Sequence, residues 1–381
     1  MSAVIDACAA CLRRTDLIAA LSGRIEFEWR LRRGRPQLLA LSDRALLEWA
    51  ADADAAQRYQ TFVAELAVDR LIAGGIGAVC GHAAGFPAGL RELPDPPAVL
   101  HLLGDPAVLA ESSSVALVGA RRPSAYGLEI ARSLARGLAA AGVPVVSGMA
   151  MGIDSAAHAG ALEGGGRTVA VLATGVDRPY PARARTLHGR IAEAGCVVSE
   201  LPPGSEPRRW AFPARNRLIA ALAAGTVVVE GGERSGSLIS ADFAAELGRF
   251  VGAVPGAVTA RMAAGPHLLL KSGAELVRGI EDILDLLHGA GAGARIPVEA
   301  AVIGSGDRPP PRPCAAAAPV PADLDARLVR LLAEIERGNG SLSELVTDPA
   351  NAFEVSRGLG ELELRGLVTR VFGGRYIRAA R

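Results

Sequence analysis

With 381 residues the chain is long enough for two or three domains, each burying a core of its own. Half of the residues are hydrophobic and 21% are charged, and no run of about 20 apolar residues is present to span a bilayer, so the composition reads as that of a soluble protein. The formal net charge is only +1, which excludes a uniformly basic surface and leaves local basic patches as the means of holding nucleic acid.

Arginine supplies nearly all of the strong cations, since Lys271 is the only lysine, and arginine is the better bidentate partner for phosphate. The cysteines Cys8, Cys11, Cys80, Cys196 and Cys314 are odd in number and scattered, which fits a reducing compartment. Only Cys8-x-x-Cys11 has ligand-like spacing, and neither a second pair nor a nearby histidine completes it, so no metal site is expected. Asp6, Arg13 and Arg14 stand where a signal peptide needs an apolar stretch, and the expected location is the cytoplasm, away from any membrane.

In chain order, residues 1–75 read as a helical domain, rich in alanine and leucine, with Leu38, Leu41, Ala45 and Trp49 near helical spacing. Gly74-Gly-Ile-Gly77 closes it, and the prolines of Phe86-Pro87 and Asp95-Pro-Pro97 fix an extended connection. Residues 76–288 form the main domain. Apolar runs there end in glycine, serine or arginine and lead into helices: Val115 to Arg121, Val143 to Met149, Thr168 to Gly175 and Thr226 to Gly232. Short continuous apolar runs alternating with helices predict buried parallel strands, hence an α/β fold with a doubly wound parallel sheet. Helices are expected from Tyr126 to Ala141, from Asp154 to Leu162 and from Ser237 to Leu247. Residues 289–321 are an alanine-, glycine- and proline-rich linker. Residues 322–381 carry three helical patterns and a hairpin around Phe372-Gly-Gly374, the make-up of a winged helix.

In open α/β sheets ligands bind outside the carboxyl ends of the strands. Gly119 lets a backbone approach a ligand closely there, and Arg121 can fork onto a phosphate, although both also suit a tight turn. Ser147-Gly148 precedes another helix start, where free N–H groups attract anions. Asp154 and His158, four apart, share a helix face as an acid–base pair or as a cap and a packed ring. Arg215-Asn216-Arg217 is the sharpest basic cluster, within a stretch, 167–217, of nine arginines and four acids. With Trp210 and Phe212 beside it, that cluster suits a surface that tracks a single strand, the arginines on phosphates and the aromatics on bases. Ser235-Gly236-Ser237 makes a phosphate cradle at a helix start. No Walker loop, no Gly-x-Gly-x-x-Gly after the first strand and no Gly-x-Ser-x-Gly elbow is present, so no nucleotide cofactor is expected.

Laid in order, these segments resemble the DNA-processing protein A family (DprA/Smf) of bacterial transformation. The match runs through Val118-Gly-Ala-Arg121, Ser147 to Asp154 with His158, Tyr180-Pro181 and Ser199-Glu200. It continues with Phe212-Pro-Ala-Arg-Asn-Arg217, Glu230 with Ser235 to Leu238, and Val254-Pro-Gly256. The resemblance implies an extended Rossmann-like domain in a non-catalytic protein that binds single-stranded DNA without sequence preference, protects it during DNA uptake, pairs into a homodimer and helps load the RecA recombinase. It implies DNA contacts at Gly119, Arg121, Ser147, Gly148, Arg215, Asn216, Arg217, Ser235, Gly236 and Ser237. Ala214 stands where the family often has a lysine, and Arg178, Arg208 and Arg209 are the cations available to replace it. Two other readings compete: a nucleotide phosphoribohydrolase-type enzyme with Glu200 or Glu230 as its acid, and a winged-helix regulator whose sheet domain senses a ligand.

Overall fold

A computed structural model of the chain describes residues 4–32, 37–289, 324–336, 345, 351–370 and 376–378. The chain divides into two compact units, residues 1–301 and 302–381. The first is built on a mixed ten-stranded sheet in the order β1-β2-β3-β7-β6-β5-β4-β8-β9-β10. Its strands are β1 (Ile5–Asp6), β2 (Gly77–Cys80), β3 (Val99–Gly104), β4 (Val115–Val118), β5 (Val145–Ser147), β6 (Thr168–Val171), β7 (Cys196–Ser199), β8 (Gly225–Val228), β9 (Phe250–Ala253) and β10 (Glu275–Leu276). From β7 to β10 along the sheet every neighbour is parallel, and β3 alone runs against β2 and β7. Each residue of β4, β6, β7 and β8 is buried. That is why these segments read as unbroken apolar runs: helices cover both faces, so neither side of the strand needs a polar residue.

Between β4 and β5 lies α7 (Ala125–Ala140), and between β5 and β6 lies α8 (Ile153–Glu163). Ser124 caps α7, its hydroxyl accepting from Gly127 N. Leu134, Leu138 and Ala131 of α7 and Ala156, Ala157 and Ala161 of α8 share one apolar cluster with Val115, Leu117 and Val145 of the sheet. The chain therefore leaves β4 toward β5 on one side and later returns to β8 on the other. Such a reversal opens a crevice at the carboxyl ends, here between β4 and β8. Two helices follow on that second side, α10 (Ala211–Ala221) before β8 and α11 (Gly236–Glu246) after it.

The N-terminal helices do not stand apart as residues 1–75 were expected to do. They comprise α1 (Ala9–Ala20), α2 (Ser22–Arg32), α3 (Asp43–Ala50), α4 (Ala53–Gln60) and α5 (Ala64–Ala73). Leu17, Leu21, Ile25 and Leu46 pack in one cluster with Leu201, Trp210, Ala211 and Ala214. Strand β1 joins the sheet edge parallel to β2, Ile5 opposite Ala78 and Asp6 opposite Val79. The proline-rich connection also holds regular structure: β2 and β3 pair antiparallel on either side of the short helix α6 (Ala88–Arg91).

In the second unit, α14 (Ala326–Glu336) and α15 (Ala352–Leu364) pack through Leu328, Leu332, Ile335, Leu359 and Leu362. Strands β11 (Val368–Arg370) and β12 (Tyr376–Arg378) pair antiparallel, and the turn expected between them at Phe372-Gly-Gly374 lies outside the described residues. Apart from the buried Leu345, the middle helix of the expected winged helix lies outside the described residues, as does the linker 290–321.

Candidate nucleic-acid interface

At the end of β4, Gly119 is fixed by packing. A Cβ there would lie 2.6 Å from Ile153 Cγ1 and 2.8 Å from Glu230 O. Only glycine lets the ends of β4 and β8 and the start of α8 meet at that distance. Two residues on, Arg121 is exposed, and its guanidinium lies over the Phe212 ring at 5.1 Å. Phe212 in turn packs against Tyr180, with ring centroids 5.5 Å apart and planes tilted by 54°. Cation and rings thus form one continuous platform, and Tyr180 remains 45% exposed.

Facing that platform is the start of α11. The Ser235 hydroxyl caps it, and Ser235 Oγ and Ser237 Oγ are 2.8 Å apart. Asn216 Nδ2 donates to Gly236 O at 3.0 Å, tying α10 to the same turn. Gly119, Arg121, Arg215, Asn216, Ser235, Gly236 and Ser237 therefore line a single cleft of about 640 Å³, with Trp29, Tyr180, Arg209 and Phe212 also on its walls.

Ser147, Gly148 and Arg217 lie beneath the cleft, and Arg215 reaches only its floor. Ser147 is buried and donates to Leu117 O at 2.6 Å. Arg215 is 5% exposed, and its Nη1 donates to the carbonyls of Gly148 and Val171. Burial lowers its pKa to about 10 against the pull of the Asp154 carboxylate, so it stays cationic at neutral pH. Gly148 is glycine because a Cβ would overlap the Arg215 guanidinium. Arg217 is fully engaged, paired with Glu200 at 2.7 Å and with Asp95 at 3.0 Å. Burial opposes its charge, but the two carboxylates hold its pKa above the ordinary arginine value.

The acids required by an enzymatic reading are also committed to structure. Glu200 holds Arg217 through both oxygens, while Glu230 accepts from Ser124 N at 2.8 Å and from Ser124 Oγ at 2.6 Å. His158 is buried with Nδ1 2.7 Å from Thr168 Oγ1, whose proton goes to Val145 O. Burial and the Arg215 charge push its pKa down to about 3, so it is a neutral packed ring and no partner for Asp154 in proton transfer. Trp210 is completely buried in the cluster under the N-terminal helices, which removes it from any stacking surface.

Two cleft residues had no sequence signal strong enough to find them. Tyr180 belonged to the family resemblance without a role, and only its pairing with Phe212 gives it one. Trp29 lies on α2, a helix whose mixed charges carried no chemistry, and it reaches the cleft because Glu26 on the same helix accepts from Trp210 N at 3.1 Å.

A largely parallel sheet whose switch-point crevice gathers helix starts, glycine turns and an arginine–aromatic platform defines a Rossmann-like α/β protein. Residues 77–288 match the family model described as DNA recombination-mediator protein A. A putative DNA processing protein DprA of Mycobacterium tuberculosis is 44% identical over 295 residues, covering 74% of this chain and 72% of the relative. DNA processing protein A of Streptococcus pneumoniae superposes with a TM-score of 0.57 at 32% identity, covering 72% of this chain and 95% of that one. The Helicobacter pylori protein, described for its single-stranded DNA binding mode, gives 0.51 at 30% identity, covering 56% and 95%. The chain belongs to the DNA recombination-mediator protein A family, a family of DNA-processing proteins, as the order of its motifs indicated. Among the described residues, no helix is long and apolar enough to cross a membrane.

Proposed function

We propose that the protein binds single-stranded DNA in the switch-point cleft, without sequence preference, and protects it there. The observation that carries this reading is the platform of Arg121, Phe212 and Tyr180 facing the Ser235-Gly236-Ser237 turn. Arg121 meets a phosphate, Tyr180 and Phe212 stack on bases, and the first turn of α11 offers N–H groups and hydroxyls to a neighbouring phosphate. Every base has a π-face, so stacking and phosphate contacts together are indifferent to sequence. Buried Arg215 adds positive potential from below while its hydrogen bonds keep Gly148 and Val171 in place. Arg217 acts at one remove, holding α10 against Glu200 and Asp95 so that Phe212 and Asn216 face the cleft. Work in natural transformation, as a homodimer that helps load the RecA recombinase, is part of the same proposal and rests on family membership.

Fluorescence anisotropy with labelled single-stranded and duplex oligonucleotides across a salt series tests it. Wild type is expected to prefer the single strand and to lose affinity with salt, with a log–log slope of about −0.7 for each phosphate contact. Arg121→Ala should bind roughly tenfold more weakly and shed about one contact from that slope. Equal affinity for duplex and single strand, or an Arg121→Ala slope identical to wild type, sinks the reading.

A further inference from the structure

The chain contains five cysteines and six histidines. Three of those cysteines and one histidine converge at a single point well away from the cleft: the ligand atoms of Cys8, Cys11, Cys80 and His82 all lie within 4.8 Å of one another. Cys8 stands immediately before α1 and Cys11 in its first turn, whereas Cys80 ends β2 and His82 follows in the turn closed by Ala83 N donating to Cys80 O. Only the Cys8-x-x-Cys11 half was visible in the sequence, and the expectation that no second pair or histidine completes it is corrected here: residues 12–79 separate the halves, and pairing of β1 with β2 brings Cys80 and His82 to it.

The distances are those of a metal site. With zinc–sulfur bonds of about 2.3 Å and a zinc–nitrogen bond of about 2.0–2.1 Å, tetrahedral angles place sulfur and nitrogen about 3.6 Å apart. His82 Nδ1 lies 3.5 Å from Cys8 Sγ, 3.5 Å from Cys11 Sγ and 3.8 Å from Cys80 Sγ. One imidazole nitrogen has no use for three thiol neighbours as a hydrogen-bonding group, but around a central cation all four become equivalent ligands. Packing does not account for the arrangement either. Cys80 is buried, yet Cys8 is exposed and Cys11 only half-buried.

We infer that Cys8, Cys11, Cys80 and His82 bind one zinc ion in a closed, four-ligand structural site that staples the N-terminal segment to the sheet. The staple is placed at a thin edge of the sheet. Strand β1 contributes only two residues to the sheet edge, supported by Ala78 N donating to Val4 O at 2.8 Å. Four protein ligands leave no open position for substrate, so the role is to hold α1 and β2 together rather than to catalyse. Along the sheet, β2 is five strands from β4, roughly 24 Å at ordinary strand spacing, so zinc content and DNA binding are separable readouts.

The test is metal analysis of the full chain, purified from zinc-supplemented culture without chelator, followed by exchange with cobalt. About one zinc per chain is expected, together with a thiolate-to-cobalt charge-transfer band and the intense visible bands of a tetrahedral site. Cys11→Ser should lower retained zinc by about tenfold or more under competition with a chromogenic chelator. His82→Cys should keep the metal and shift the cobalt bands toward those of an all-thiolate site, which shows ligation even if the serine variant folds poorly. Wild-type protein lacking zinc and the cobalt bands, or a Cys8–Cys11 disulfide in freshly purified protein, overturns the inference.

Discussion

His158 illustrates how a single residue carries less chemistry and more stability than its position suggests. It lies four residues from Asp154 on α8, but it is closed in against Thr168 with its pKa lowered to about 3. His101, also fully buried, is lowered to about 4. A histidine with a depressed folded-state pKa binds fewer protons folded than unfolded between the two values, so stability rises with pH across that window. The contribution is complete above about pH 6.5 and is lost as pH falls toward 4 and then 3. Between pH 7 and pH 5 each ring is expected to remove about 2 kcal/mol of stability. His158→Gln, which keeps a donor for the Thr168 hydroxyl, should remove its share of that slope, as read from urea melts at the two pH values. A variant whose stability falls as steeply as wild type would show that His158 is not the titrating group. The arginines carry a related lesson. Arg121, Arg215 and Arg217 look alike in the sequence, but one is exposed on an aromatic ring, one holds carbonyls and one is locked between carboxylates. Composition and spacing say that arginine is there; which atoms its guanidinium reaches depends on distant partners such as Asp95 and Val171.

At the scale of elements, the central strands and their helices were legible because burial on both faces leaves an unbroken apolar run. Helix α7 begins one residue before the expected start and α11 likewise, with Ser124 and Ser235 as visible caps. The sheet edges were not legible. Strand β1 is two residues long, and β2 and β3 flank a stretch of prolines whose local signal is that of a connection. The N-terminal helices read as a separate domain because their apolar faces are ordinary amphipathic stripes; nothing local says that the partner is α10. Their packing makes a prediction. Removing residues 1–75 takes away β1 and leaves Trp210, Leu201, Ala211 and Ala214 without their cover. Uncovering a fully buried tryptophan and its neighbours costs several kcal/mol, on the order of 3–5 for the ring alone. The shortened chain should therefore lose the cooperative thermal transition followed by near-ultraviolet circular dichroism. A retained sharp transition would mean that the sheet folds independently of these helices.

For the molecule as a whole, a net charge of +1 means that the proposed affinity for a polyanion has to come from a local patch, here the switch-point cleft, rather than from the surface at large. That place was legible in the sequence as a set of strand ends, since most of the cleft follows from Gly119, Arg121, Asn216 and the Ser235 to Ser237 turn. Its aromatic side was half legible: Phe212 was expected, whereas Tyr180 and Trp29 enter from segments far apart in the chain. Trp29 gives the cleft an optical property. The protein has three tryptophans: Trp210 is sealed in the core, Trp49 lies beside Arg24 on the N-terminal layer, and Trp29 alone lines the cleft. Occupation of the cleft by a stacked base should therefore dim the intrinsic emission of the unlabelled protein, and Trp29→Phe should abolish that response while the emission of the other two indoles persists. The chain thus carries its own fluorophore on the wall of the proposed contact, and binding there would be followed in real time without a dye on either partner.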